Sequence, residues 1–428
     1  MAKAKAKSQS KQKDILHSTN IPLVKSKSTP KKSQQSLKPI EDLLTEAAEF
    51  LEQSQPELAL PLAEEALSRL EAERQTQKSE NDSIDTLLQL AAQGKATLPV
   101  ALSLEAEIQL ALGDADSART SFTRAAQMDP DGALVSAEPW LWLAQLCEQG
   151  GKESISYFEK ATEVLRNETE VLEDEEATVM DQSARVLDEK KAKLADALCA
   201  MAEVYMTDLS WEDDAEQRCE TLVTEAVAVC PERLSAGVMQ TLASVRISQT
   251  RVDDARQALK RSLAIWKDIP LDVDDEARPD FATRVSLSRL LMEVEAETEA
   301  MAVLEGLTRE DDQSVECWYL GGWCQVLISR KPSTSPEERT KSQERAKTWL
   351  DACLELYRAQ EYEDERLQEH AVELVQQLNQ VLGVEDQMDD DEDEDAWEDE
   401  EDEDDHDTEL QVEANGYVGN DDGDVEMS

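Results

Sequence analysis

A single spacing, present four times, constrains this chain more than any other feature. A small residue is followed by Ala twelve positions later, then by small or apolar residues four and seven positions beyond that Ala. The copies are Ala47 with Ala59, Ala63 and Ala66; Ala106 with Ala118, Phe122 and Ala125; Ala243 with Ala255, Leu259 and Ser262; and Ser288 with Ala300, Leu304 and Leu307. Steps of four and seven keep residues on one face of a helix, so each triplet is a buried stripe. The small residue twelve positions earlier sits where a preceding antiparallel helix must come close, because only small side chains permit that approach. Each copy therefore encodes a hairpin of two helices. The segment 113 to 130, GDADSARTSFTRAAQMDP, contains a turn Gly, the stripe, and a Pro that ends the second helix.

Weaker copies fill the gaps. Trp140, Leu143 and Ala144 lead to Phe158 and Ala161 across a turn two residues short; Ala202 and Tyr205 lead to Cys219, Val223, Ala226 and Pro231 across one five residues longer. Leu320 and Gly321 lead to Ala346, Leu350 and Cys353 after a long KPSTSPEER loop, and a helix near 362 to 382 would cap the stack with a polar outer face. The spacing resembles the tetratricopeptide repeat. The expected fold is all-α, one right-handed tetratricopeptide superhelix of about six hairpins plus a C-terminal capping helix. Insertions near 71 to 97, 167 to 192 and 268 to 278 interrupt it, the first two helix-like.

Composition sets the boundaries. Of 428 residues 40% are hydrophobic but only 4% aromatic, which suits close helix packing better than a β-rich core. Formal charge is −53; residues 1 to 40 contribute +9 from ten Lys and Asp14, and residues 385 to 428 hold 24 acids with no Lys or Arg, which leaves −38 on the body between. The ends are read as a disordered basic arm (1–40) and a disordered acidic tail (384–428), with the superhelix at 41–383. So negative a body repels nucleic-acid phosphates and anionic lipid, since binding those depends on Lys and Arg displacing counterions. Direct DNA binding and membrane association are not expected, and a basic partner is the natural complement.

The seven cysteines, Cys147, Cys199, Cys219, Cys230, Cys317, Cys324 and Cys353, form no CxxC pair and mostly fall at apolar helical positions. They read as buried, reduced thiols of a cytosolic or nuclear protein. No apolar run follows the charged N-terminus, and nothing approaches the roughly 18 apolar residues of a membrane span, so the chain is expected to be soluble and not secreted. Of three histidines, His17 and His406 lie in the terminal segments, and His370 is expected solvated or packed on the cap helix. No HExxH, P-loop, GxSxG or Cys/His zinc spacing occurs. Neither catalytic residues nor a cofactor or metal site is expected, and the chain reads as a binding protein rather than an enzyme.

Arrays of this type bind on the face lined by the first helix of each hairpin. Taking register from the small packing residue, that face is expected to hold Ser103 and Glu107, Leu141 and Gln145, Cys199 and Glu203, Gln240 and Ser244, Val285 and Arg289, and Trp318 and Gly322. Glu107, Gln145, Glu203 and Trp318 are its candidate contacts. The aligned pairs contain no Lys, Asn and Arg set that could grip a carboxylate, which points to a cationic ligand. A second candidate is the turn WEDDAEQ, 211 to 217, where Trp211 could stack on a Lys or Arg stem while Asp213 and Asp214 meet its head. The same turn reads equally as a helix start with Trp211 tucked into the core. The tail, with Trp397, is open between shielding a basic client and aiding solubility; the Lys clusters of the arm are open between an import signal, a transient RNA contact and folding back on the body.

A Lys-rich arm, an irregular acidic array carrying the repeats above and a terminal Asp/Glu run together resemble the fungal dedicated assembly chaperones of the fourth large-subunit ribosomal protein. The resemblance implies a function: capturing a newly made basic ribosomal protein by its extended basic loop, keeping it soluble, and delivering it to the nucleus for large-subunit (60S) assembly. It also implies shuttling between cytoplasm and nucleus, an import receptor as a possible further partner, and a client lying along Glu107, Gln145, Glu203 and Trp318. The alternative is a tetratricopeptide scaffold or histone-type import adaptor.

Overall fold

The computed structural model describes residues 38–76, 83–176, 182–270, 272–273 and 275–383. The basic arm up to residue 37, the acidic tail from 384, and the middles of the first two insertions lie outside the described residues.

Helices pair in chain order. The first hairpin is α1 (Ile40–Glu52) with α2 (Pro56–Thr76); a short α3 (Ile84–Ala92) precedes the second, α4 (Leu98–Ala111) with α5 (Ala115–Met128). Next come α6 (Glu138–Gln145) with α7 (Gly151–Glu176), then α8 (Gln182–Met206) with α9 (Ala215–Val229), and α10 (Ala236–Ser248) with α11 (Val252–Trp266). The last pairs are α12 (Phe281–Glu293) with α13 (Glu297–Glu310) and α14 (Val315–Arg330) with α15 (Pro336–Gln360), and α16 (Glu365–Leu382) closes the array. Among the described residues about six hairpins become seven, because the three weaker copies each form a full pair. No strand occurs among the described residues.

The repeat spacing is the packing rule. All sixteen residues of the four strong copies are at most 1% exposed. Burial is local rather than central: Ala106, Ala118, Phe122, Ala126 and Leu143 form one cluster, Ala47, Ala59, Ala63 and Ile108 another, and α10 to α14 share a larger one around Leu259, Leu287, Leu291 and Leu304. Such nearest-neighbour burial is what a stacked repeat array requires. Side-chain hydrogen bonds fix the intervals: Ser154 Oγ donates to the Ala144 carbonyl at 2.8 Å, and Ser262 Oγ to that of Ala236 at 2.7 Å. Several helix starts carry side-chain caps, with Asp114, Asp280 and Asp364 each accepting from the backbone three residues on, and a full capping box at Ser335 and Glu338.

Two features shape the face lined by the first helices. The long loop between α5 and α6 wraps the wholly buried Asp129, whose carboxylate accepts from the amides of Ala133, Leu134 and Val135 at 2.7 to 2.9 Å. This fixes Leu134 and Val135 as a wall beside α4. α6 is only eight residues long, so it lines less of that face than its neighbours. The insertion near 167 to 192 is absorbed by lengthening α7 and α8 to 26 and 25 residues.

Candidate binding face along the first helices

The first helices α4 and α8 present a line of carboxylates, with α10 packed beside α8. Glu107 on α4 lies beside Glu138 at the start of α6; lost water first, and repulsion from Glu138 second, push its carboxyl above the usual range. On α8, Asp196 and Glu203 occupy one stripe two turns apart. Both keep contact with solvent, yet the flanking helices displace enough water that desolvation raises both, with Glu203 adding to the rise at Asp196. Thr241 on α10 donates to Glu203 Oε1 at 3.3 Å. Cys199, between the two acids and 6% exposed, has its thiol pushed up to about 12 by burial, which keeps it protonated and inert. Gln240 lies beside Thr241 with its side-chain amide nitrogen buried and without a hydrogen-bond partner.

Carboxyls raised chiefly by desolvation, with repulsion added at Glu107 and Asp196, hold charge at a cost that an arriving ammonium or guanidinium offsets. Basic groups are interspersed: Lys193 pairs with Glu138, and Arg289 on α12 with Glu316. The face is thus acidic through α4 and α8 and mixed towards its C-terminal end.

Two grooves open on this face. One of about 380 Å³ lies between α1, α4 and the start of α6, with Leu44, Val100, Leu104 and Val135 as its apolar lining and Glu107 and Glu138 among its walls. The other, about 540 Å³, lies between α12, α14 and α16 and is lined by Met292, Tyr319, Trp323, Leu327 and Leu367, with Arg289, Glu293, Asp364 and Arg366 at its rim. His370 of α16 backs this second groove: its Nδ1 is 2.7 Å from the Tyr319 hydroxyl and its ring meets Tyr319 and Trp323 edge-on. It is packed, as expected.

The sequence-derived candidates separate into three places. Ser103 and Glu107 line the groove beside α1, Glu203 is exposed on α8, Arg289 is in the C-terminal groove, and Gln145 is an exposed residue at the end of the short α6. Trp318 is displaced: its ring packs on Trp349 of α15 at 4.8 Å between centroids, and its Nε1 donates to the Asp312 carbonyl at 2.8 Å. The register in α14 is off by one because two glycines adjoin. A Cβ on Gly322 would meet Leu350 and the Ala346 carbonyl, the partners of the small packing residue, whereas Gly321 abuts Trp349. Gly322 is therefore the packing residue, and the groove residues become Tyr319 and Trp323.

Trp211, Asp213 and Asp214 sit in the α8–α9 turn, at the edge of the array rather than on the first-helix line. Trp211 is 72% exposed, so it is not part of the core. The turn is tied to the preceding hairpin, with Gly151 donating its amide to Asp208 at 3.1 Å and Lys152 pairing with Glu212 at 2.8 Å; Asp214 is engaged with Arg218 at 2.7 Å. Sequence reasoning missed Asp196, Glu138, Tyr319 and Trp323. Extending the α8 stripe back two turns from Glu203 would have found Asp196.

Among the described residues no cluster of three or more His, Cys, Asp or Glu is gathered for a metal ion, and no helix is long and apolar enough to cross a membrane.

The sequence matches no family profile. It is 41% identical over 365 residues to a protein of Emericella nidulans described as "Probable assembly chaperone of rpl4", spanning 82% of this chain and 83% of that one. A Schizosaccharomyces pombe protein of the same description is 32% identical over 284 residues, spanning 65% of this chain and 80% of that one. The solved structure of an "Assembly Chaperone of RpL4" superposes with a TM-score of 0.58 at 41% identity, covering 68% of this chain and 96% of that one.

Proposed function

This chain belongs to the family of assembly chaperones of rpl4, and on that premise we propose that it holds the basic ribosomal protein L4 along its first-helix face through the Glu107, Asp196 and Glu203 carboxylates. The observation that carries this reading is the placement of these three carboxylates on the first helices α4 and α8, where the flanking helices shield each from water and raise its carboxyl. Acids held partly out of water are poised for Lys and Arg side chains, and the neutralised client is kept from aggregating and from adventitious RNA. Nothing covalent is involved, and the reading is of a binding protein without catalysis. The aromatic groove of Tyr319 and Trp323 accepts the stem of a client Arg or an apolar side chain beside it. Release follows when ribosomal RNA, a denser polyanion, competes for the same cations. Cytoplasm and nucleus are the compartments this role requires, with an import receptor as a further partner.

The test is charge reversal at both ends of the acidic line. Glu107→Lys with Glu203→Lys is expected to weaken capture of ribosomal protein L4 about 100-fold, the loss of about 1 to 2 kcal/mol for each reversed contact, with the helical circular-dichroism signal unchanged. Undiminished capture by a folded double variant would overturn the reading. Purification of the tagged chain at low salt followed by mass spectrometry separates it from a scaffold or import adaptor: a stoichiometric ribosomal protein is expected, and histones or a multiprotein assembly in its place would contradict it.

A further inference from the structure

The groove between α1, α4 and α6 pairs an apolar lining with carboxylates among its walls. Val100, 39% exposed, and Leu104 face it from α4 and Val135 from the loop held by Asp129, while Glu107 and Glu138 stand in the same groove. Such a groove suits an occupant that combines apolar side chains with a cation for Glu107. The chain itself contains such a segment. Ile21-Pro22-Leu23-Val24-Lys25-Ser26-Lys27 lies in the Lys-rich stretch before α1, whose first 37 residues include nine Lys against the single acid Asp14.

Chemistry and reach agree. Pro22 fixes its own φ and biases Ile21 towards extended backbone, and in an extended segment Ile21, Leu23 and Lys25 point to one side. Lys38, where the described chain begins, is held at the start of α1: its carbonyl accepts from Arg69 Nη1 of α2 at 2.6 Å and its ammonium pairs with Glu46 of α1. Leu44 in the groove is only about 6 Å along α1 from Ile40. The residues between Val24 and Pro39 can span up to about 45 Å.

We propose that Ile21–Lys27 of the chain's own arm docks in this groove, Ile21 and Leu23 covering Val100, Leu104 and Val135 while Lys25 meets Glu107. The arm then occupies the N-terminal end of the binding face until a client displaces it. The proposal stands on the groove and the arm alone, and it is tested without a client, so its failure and that of the client assignment are separate results.

A photo-crosslinking benzoylphenylalanine is placed at Val100 of the full chain, and in a second preparation at the exposed Thr45 on the opposite wall. Each is irradiated at submicromolar concentration, and peptides are mapped by mass spectrometry. The expected result is an intramolecular cross-link to the 21–27 peptide from both positions, lost in full chains carrying Ile21→Asp, Leu23→Asp and Lys25→Glu. Cross-links to other segments only, to a second copy of the chain, or none from either position overturn the proposal.

Discussion

Gly322→Val is expected to destabilise the C-terminal hairpin by about 3 kcal/mol. A Cβ at this position would lie 2.6 Å from Leu350 Cγ and 3.3 Å from the Ala346 carbonyl. Leu350 and Ala346 are both fully buried, so neither has room to yield. A β-branched side chain adds a second atom to that collision and has one strongly preferred rotamer with which to avoid it. Gly322→Ala should cost less, because alanine's better helix propensity returns about 1 kcal/mol. Since neighbours in the array support one another locally, damage should begin with α14 to α16. Urea unfolding followed by tryptophan fluorescence reads this region through Trp318, Trp323 and Trp349. An early, partial transition is expected, and an unfolding curve superimposable on that of the parent would contradict the close-approach account.

Glu310→Ala is expected to cost about 2 to 3 kcal/mol, near the lower edge of what breaking a buried ion pair costs because Glu310 itself is partly exposed. The Arg284 side chain is 5% exposed, against 37% for Glu310. Its guanidinium donates to both Glu310 oxygens at 2.7 and 2.8 Å and lies over the Trp266 and Phe281 rings. Removing Glu310 leaves that cation buried with the Asp280 carbonyl at 3.3 Å. Replacing both partners, Arg284→Met with Glu310→Leu, should cost less than Glu310→Ala alone. The effect has a defined pH sign. Hydrogen bonds from Arg284 hold the Glu310 carboxyl below the usual carboxylate range, so its stabilisation is complete above that range and fades as pH falls through the depressed folded value. The stability gap between parent and Glu310→Ala should thus be full near neutrality, begin to narrow as pH falls below about 4, and close only below the depressed folded value. A gap that does not change with pH would contradict the assignment.

The hairpins were legible because their signal is steric. Twelve-residue intervals between small residues survive any surface sequence, and the strong copies are buried as the spacing requires. Register failed in α14, where Gly321 and Gly322 both satisfy the small-residue rule and only the position of Leu350 chooses between them. Trp211 could not be placed from sequence, since an acidic turn offers no periodicity to say whether an aromatic points in or out. The groove at the N-terminal end was equally hidden: it depends on Asp129 gathering three amides and so holding Leu134 and Val135 beside α4. Desolvation of Asp196 is likewise set by which helices flank it, not by its neighbours in sequence.

Whether the client is held by the folded face or by the acidic tail is the central claim, and the dissociation constant of a chain ending at Gly383, measured beside the full chain over rising salt, tests it most directly. Removing 384–428 takes away 24 acids but leaves Glu107, Asp196 and Glu203 in place. The account predicts that affinity for ribosomal protein L4 falls less than about tenfold and keeps most of its salt dependence. Loss of binding on removing the tail alone would contradict it.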